Sequence, residues 1–357
     1  MAPPTLVDGD GLCKLDLLKL VCVTHCMPST RETWWAALFG RRFWIPAYTA
    51  LGLGLLLPLG SGALRPLVPI FLGLILFFTA LKVDASELVA AARGRWRRNA
   101  TLVSIKLLAM PVAAYLLTAL VAPSWALGVA LVAAMPAGLS SVAFADLYGG
   151  RLGLALLMVV ATSVLAPFTA PLLLHLATQL RGAGDVALDW GVLGEQIGYV
   201  AVLLLVPFVM ARLFARAAPT VVARRQSLWG PLAIASLCVM IFAAAQSSRP
   251  TWLGRPVTEL LEGLAVVSGV CVLFVAVALG VARKLTHPDA VAFACNVTFV
   301  NHGLAVAFAV QFFPTDAYML LPPILIQVPV VVAVASIGRL LPAPGTTKAA
   351  PTDVDTA

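Results

Sequence analysis

The sequence predicts an all-α polytopic membrane protein: ten transmembrane helices in two inverted five-helix repeats. Three observations lead there. Of 357 residues, 61% are hydrophobic and only 11% charged, whereas a soluble domain carries about 25% charged residues. Ten apolar runs come close to the ~20 residues that a span requires: 43–60, 67–83, 100–121, 124–147, 152–179, 193–216, 228–247, 259–282, 288–312 and 316–340. In each set of five, the fourth run is interrupted in its middle by polar residues, Pro or Gly.

The charges set the orientation. With a cytoplasmic N-terminus, nineteen of the 24 Lys and Arg residues fall on the cytoplasmic side. Four (Arg65, Arg181, Arg249 and Arg255) fall opposite, and Lys106 lies inside the third run. Such a bias places both termini in the cytoplasm, in the cell (inner) membrane. The net charge of +8 is therefore topology, not a nucleic-acid surface. Five spans per half is an odd number, so the second half enters the membrane from the other side.

Residues 1–42 read as an N-terminal cytoplasmic segment, 43–180 as the first repeat and 193–341 as the second. The piece LDLLKLVCV (15–23) is short and no cleavage site follows it, so no signal peptide is expected. Met27 opens a more ordinary start, and it is the expected one. The tail 342–357, rich in Pro, Thr, Ala and Asp, is expected to be disordered.

The two interruptions carry the functional reading. Ala290 to Phe308, AVAFACNVTFVNHGLAVAF, places Asn296, Thr298, Asn301, His302 and Gly303 inside an apolar run. Met135 to Ser141, MPAGLSS, does the same in the first half. Polar groups at membrane depth are costly unless they face protein or a water-filled cavity. Pro136 lies about twelve residues into its run and Asn301 about thirteen into its own. At about 1.5 Å per residue both breaks fall near the midplane. Pro136 removes a backbone donor, while Gly138 and Gly303 permit close backbone approach. The half-helix N-termini created there favour an anionic ligand. Paired interruptions of this kind point to a transporter binding site.

Other classes find little support. The six cysteines (13, 22, 26, 238, 271 and 295) form no CxxC pair and have no His at metal spacing. No hydrolase signature or nucleotide loop favours an enzyme. A membrane sensor is the rival from another class, but the chain has no room for a soluble output domain. The expected partners are a small organic anion and the surrounding lipids, with no nucleic acid and no cofactor. Nothing in the residues points to an oligomeric state.

The run MPAGLSSVAFADLYGG, followed by ATSVLAPFTAPLLL (Ala161 to Leu174), resembles the fourth and fifth helices of the bile acid:sodium symporter family. NVTFVNHGLAVA (Asn296 to Ala307) resembles its ninth helix, and KLLAMP (Lys106 to Pro111) a segment of its third. The likeness covers roughly Phe43 to Leu341. It implies a four-helix panel (spans 1, 2, 6 and 7) and a six-helix core in which the broken helices 4 and 9 cross. It also implies alternating access, elevator-like or rocking, for organic anions driven by sodium. The residues it marks for substrate are Ser140, Ser141, Asn301, His302 and Gly303. Those it marks for ion coupling are Lys106, Asn296 and Thr162.

The ion positions depart from the family pattern. Lys106 stands where the family has Gln, Asn296 where it has Glu, and Val300 where it has Gln. Ser140 and Ser141 replace a Ser-Asn pair, and Ala155 and Val159 replace two hydroxyl ligands. Asn301 is kept, and Thr162 and Ser163 keep a hydroxyl pair. A carboxylate is thus lost and an ammonium gained. The alternative is a carrier of the same fold that does not use sodium, either uncoupled or driven by protons loaded on Lys106. Sodium or a proton is the candidate coupling ion. Arsenite efflux is disfavoured because Met135, not Cys, precedes Pro136.

Each signal has a plainer reading. Lys106 could snorkel to the interface. Asn301 and His302 could merely satisfy backbone groups at the break, and Ser140 and Ser141 could bond back to helix carbonyls. Asp146 reads as a helix-end charge facing water, and Cys295 as a small core residue. Trp34, Trp35, Trp44, Trp96, Trp125, Trp190, Trp229 and Trp252 read as an aromatic belt. Pro167, Pro171, Pro322, Pro323 and Pro329 are expected to kink helices of the core.

Overall fold

The computed structural model describes residues 44–57, 64–81, 91, 95–180 and 189–341. The expected start at Met27 and the expected disorder of the tail fall outside the described residues. Within them the chain is helical and has no β-strand; an isolated antiparallel bridge joins Ala137 to Val300. The helices are α1 (Trp44–Leu56), α2 (Leu67–Ala80), α3 (Trp96–Val121), α4 (Ala126–Ala134) and α5 (Ser140–Leu147). Next come α6 (Leu152–Leu180), α7 (Trp190–Ala217), the short α8 (Pro219–Arg224), α9 (Gln226–Leu253) and α10 (Val257–Ala282). The chain ends with α11 (His287–Thr298), α12 (His302–Phe312) and α13 (Ala317–Leu340).

Six of these, α3, α6, α7, α9, α10 and α13, are long and apolar enough to cross a membrane. Their outer faces present Leu116, Leu120, Phe168, Val202, Met210 and Val272 to the surroundings. Apolar patches of that extent suit lipid, not water. The chain is a multi-pass membrane protein.

Local sequence explains the irregular turns. Pro111 has no N–H to return to α3, and the preceding turn, Ile105–Ala109, widens into a π-helix in which Met110 N–H reaches the Ile105 carbonyl. Lys106 sits on that wide turn. In α13, Pro322, Pro323 and Pro329 remove three donors, and the helix is interrupted at Ile326. Pro167 and Pro171 lie inside α6 without ending it.

Packing divides the helices into two groups. α9 lies along α1 and α2, and α7 packs on α2 and to the same extent on α6, so that it joins this group to the next. Phe78 stacks on Trp229 within this group, with ring centroids 6.1 Å apart. In the second group α3 pairs with α4, α4 packs on α6 and α13, and α10 packs on α11. The α4–α13 approach is so close that a Cβ at Gly128 would overlap the Tyr318 carbonyl oxygen.

The aromatic-belt reading fails at two positions. Trp96 and Trp190 are exposed, but Trp125 and Trp229 are buried. Trp125 lies flat over Gly263, where any Cβ would collide with its ring, and its indole N–H donates to Glu262 Oε1 at 3.2 Å.

One cluster ties three elements of the second group together. Asp289, at the start of α11, is fully buried. Arg98 bonds to it, Arg95 lies 3.5 Å away and Arg151 Nε 3.1 Å away. Thr286 Oγ1 donates to the same carboxylate at 2.9 Å. The Arg151 N–H also donates to the Pro288 carbonyl at 2.9 Å. The start of α3, the loop before α6 and the start of α11 therefore meet at one carboxylate.

Candidate functional site

The two breaks meet. α4 ends at Ala134, and Met135 turns to an extended conformation at φ −66°, ψ 148°. Gly138 N–H donates to the Phe299 carbonyl and Asn301 N–H to the Pro136 carbonyl, both at 2.8 Å. Each break strips its helix of backbone partners, and each supplies a partner that the other lacks. Asn301 then caps α12, its Oδ1 accepting from Leu304 N–H at 3.1 Å.

A layer of side chains behind the crossing holds it in place. Thr162 Oγ1 accepts from Ala137 N–H at 3.1 Å and donates to the Met158 carbonyl at 2.7 Å. Ser141 Oγ donates to Asn296 Oδ1 at 3.1 Å, which links α5 to α11. Asn296 Nδ2 donates back to the Ala292 carbonyl at 2.8 Å. Ser141 therefore does not bond back to its own helix, and it lies away from the cavity wall described next. Lys106 does not snorkel. Its side chain is fully buried, and Nζ donates to the carbonyls of Ala133 at 3.0 Å and Met135 at 2.9 Å.

In front of the crossing lies a cavity of about 500 Å³. It opens between α1, α2 and α9 on one side and α5, α12 and α13 on the other. Ser140, Asn301, His302 and Gly303 line it. Both half-helix N-termini, α5 at Ser140 and α12 at His302, open on this space. His302 is 8% exposed, and neither ring nitrogen has a hydrogen-bond partner among the described residues. Its ring stands edge-on to Phe299, with centroids 5.3 Å apart. Most of the remaining wall is apolar, including Leu72, Ile75, Leu237, Met240 and Val331.

The eight residues singled out in the sequence thus fall into two sets. Ser140, Asn301, His302 and Gly303 face the cavity. Ser141, Asn296, Thr162 and Lys106 hold the crossing from behind. The sequence reading missed Tyr48, Thr79 and Gln327 on the wall. The Tyr48 hydroxyl donates to the Gln327 carbonyl at 3.0 Å, joining α1 to α13. Asp146 is exposed, as expected, but the space that it faces is the cavity. The spacing of Ser140, Ala143 and Asp146 along one face of α5 was the signal for this.

The family model described as the Sodium Bile acid symporter family matches residues 69–253, just over half of the chain. The chain belongs to that family. No curated protein matches it. The Sodium Bile acid symporter match runs from α2 to the end of α9 and includes the first break. The second break, with Asn301, His302 and Gly303, lies beyond it. Membership marks the chain as one of a family of transporters.

Proposed function

We propose that the protein is a secondary transporter of small organic anions that works by alternating access. One observation carries this reading: two half-helix N-termini and the unpartnered ring of His302 converge on one cavity. Helix N-termini carry partial positive charge, so the anionic end of a solute belongs there. The apolar walls suit the rest of an organic solute. The helix pattern fits ten spans in two inverted halves, with α4/α5 and α11/α12 as the broken fourth and ninth. In this reading the group α1, α2, α7 and α9 is the panel against which the other helices move. An enzyme or a sensor would move no solute, so flux separates the classes.

The test is uptake of carboxylates, sulfonates and sulfated steroids into proteoliposomes, with ligand-induced thermal stabilisation as the binding readout. His302→Ala should weaken binding of the best ligand by about 10-fold or more, the range for a lost hydrogen bond to a charged group. Unchanged binding would remove His302 from the site, and absence of flux for every anion would defeat the transporter reading.

Orientation is part of the same proposal, with the cell membrane as location and both termini cytoplasmic. Cysteine tags at Gly94 and Thr346 should label from the cytoplasm, and one at Gly184 from outside. Labelling of Gly94 from outside would overturn the orientation and the inverted repeat.

A second reading concerns the coupling ion, for which sodium and a proton are the candidates. Lys106 favours a carrier of the same fold that does not use sodium.

A further inference from the structure

We propose that Lys106 is a tethered cation that occupies the coupling-ion position at the α4 break, so that this transporter works without sodium. The inference rests on the transporter reading above and deepens it.

The C-terminal end of a helix leaves four carbonyls without intrahelical partners and carries partial negative charge. Where a helix breaks at membrane depth, no water answers that charge. In transporters with broken helices, such ends and the unwound carbonyls beside them hold the coupling cation. Here the α4 end is already answered: the carbonyls of Ala133 and Met135 both accept from Lys106 Nζ. Among the described residues Lys106 is the one buried Lys or Arg. No carboxylate pairs with it; the buried Asp289 is held by Arg95, Arg98 and Arg151. The ammonium is therefore matched to the helix end itself.

Its placement is written into α3. The wide turn Ile105–Ala109, associated with Pro111, carries Lys106 to the side that faces α4. The chain reaches the break with a cation fixed by four methylene groups, which cannot be released with substrate.

Two side-chain oxygens of the crossing each already accept a hydrogen bond. Asn296 Oδ1 accepts from Ser141, and Thr162 Oγ1 from Ala137 N–H. Thr298 Oγ1 is buried without a partner among the described residues. A second positive charge next to the ammonium would also be repelled.

The test separates this inference from the transport reading by using thermal melting of the purified protein in detergent. The native protein should melt at the same temperature in sodium chloride and in choline chloride of equal concentration. Lys106→Ala exposes the two carbonyls and should melt lower. Sodium or methylammonium, but not choline, should then raise its melting temperature, by roughly 3–4 °C at 100 times the dissociation constant. Lys106→Gln keeps an N–H donor without the charge and serves if the Ala variant does not fold; without the ammonium's repulsion it should gain a smaller response to sodium in the same direction. Sodium-specific stabilisation of the native protein would overturn the proposal, as would variants blind to every small cation. In proteoliposomes, native uptake should be flat with sodium and uptake by Lys106→Gln should require it. Native uptake that requires sodium would also overturn the proposal, whereas melting as expected with no flux of any anion would leave the tethered cation and remove the transport reading.

Discussion

Asp289→Ala should cost more stability than any other single change considered. The fully buried carboxylate answers Arg95, Arg98 and Arg151 at once. Removing it leaves three guanidinium groups crowded together with no counter-charge. Breaking a buried ion pair from one side costs about 3–5 kcal/mol. Arg95 and Arg151 retain 54% and 45% of their side-chain exposure, so water screens part of the repulsion and the lower end of that range applies. At about 2.1 cal/mol/K of unfolding entropy per residue, a chain of 357 residues loses roughly 4 °C of melting temperature. Asp289→Asn keeps the shape and the acceptor for Thr286 and should lose less. A melting temperature within 2 °C of native for Asp289→Ala would show that the cluster is ornamental.

The second large effect is on ligand binding. Gly303 follows His302 at the start of α12, where this helix comes closest to α2 and α9. A Cβ there would lie 2.9 Å from Met240 Cε and 3.1 Å from Leu72 Cδ1. Both neighbours are ends of flexible side chains, so Gly303→Ala should be accepted with a small adjustment. Gly303→Leu adds three further carbons into the cavity beside the α12 N-terminus, the place assigned to the anion. Uptake and ligand-induced stabilisation should both disappear, about 100-fold or more, while the protein still purifies as a folded species. Asn301→Ala acts by another route. It removes the cap on Leu304 N–H, at a typical cost near 1 kcal/mol of stability, and loosens the start of α12, where His302 lines the cavity. Normal uptake by both variants would put the anion elsewhere.

The helical runs were legible because a bilayer demands long apolar stretches and the sequence contains them. The breaks were legible because Pro136, Gly138, Asn301 and Gly303 interrupt that pattern in the middle. What escaped the sequence has a common physical basis. The partners of Lys106 are main-chain carbonyls, which no residue letter encodes. The carboxylate–arginine cluster gathers residues from three distant stretches, none of them unusual alone. Trp125 has the look of an interfacial residue until Gly263 and Glu262, far along the chain, are seen beneath it. Ser141 resembles its neighbour Ser140 in every local respect, yet one faces the cavity and the other faces Asn296. That division follows from helix rotation, which an apolar run with a nearly featureless periodicity does not reveal.

The pairing of the two breaks also bears on how the protein is made. Gly138 N–H and the Pro136 carbonyl find their partners in Phe299 and Asn301, and Ser141 finds Asn296 at a separation of 155 residues. Ribosomes deliver the first half to the membrane well before those partners exist. Throughout that interval the break between α4 and α5 carries unmatched polar backbone, which is costly wherever lipid surrounds it. The first break is thus completed only by the arrival of α11 and α12.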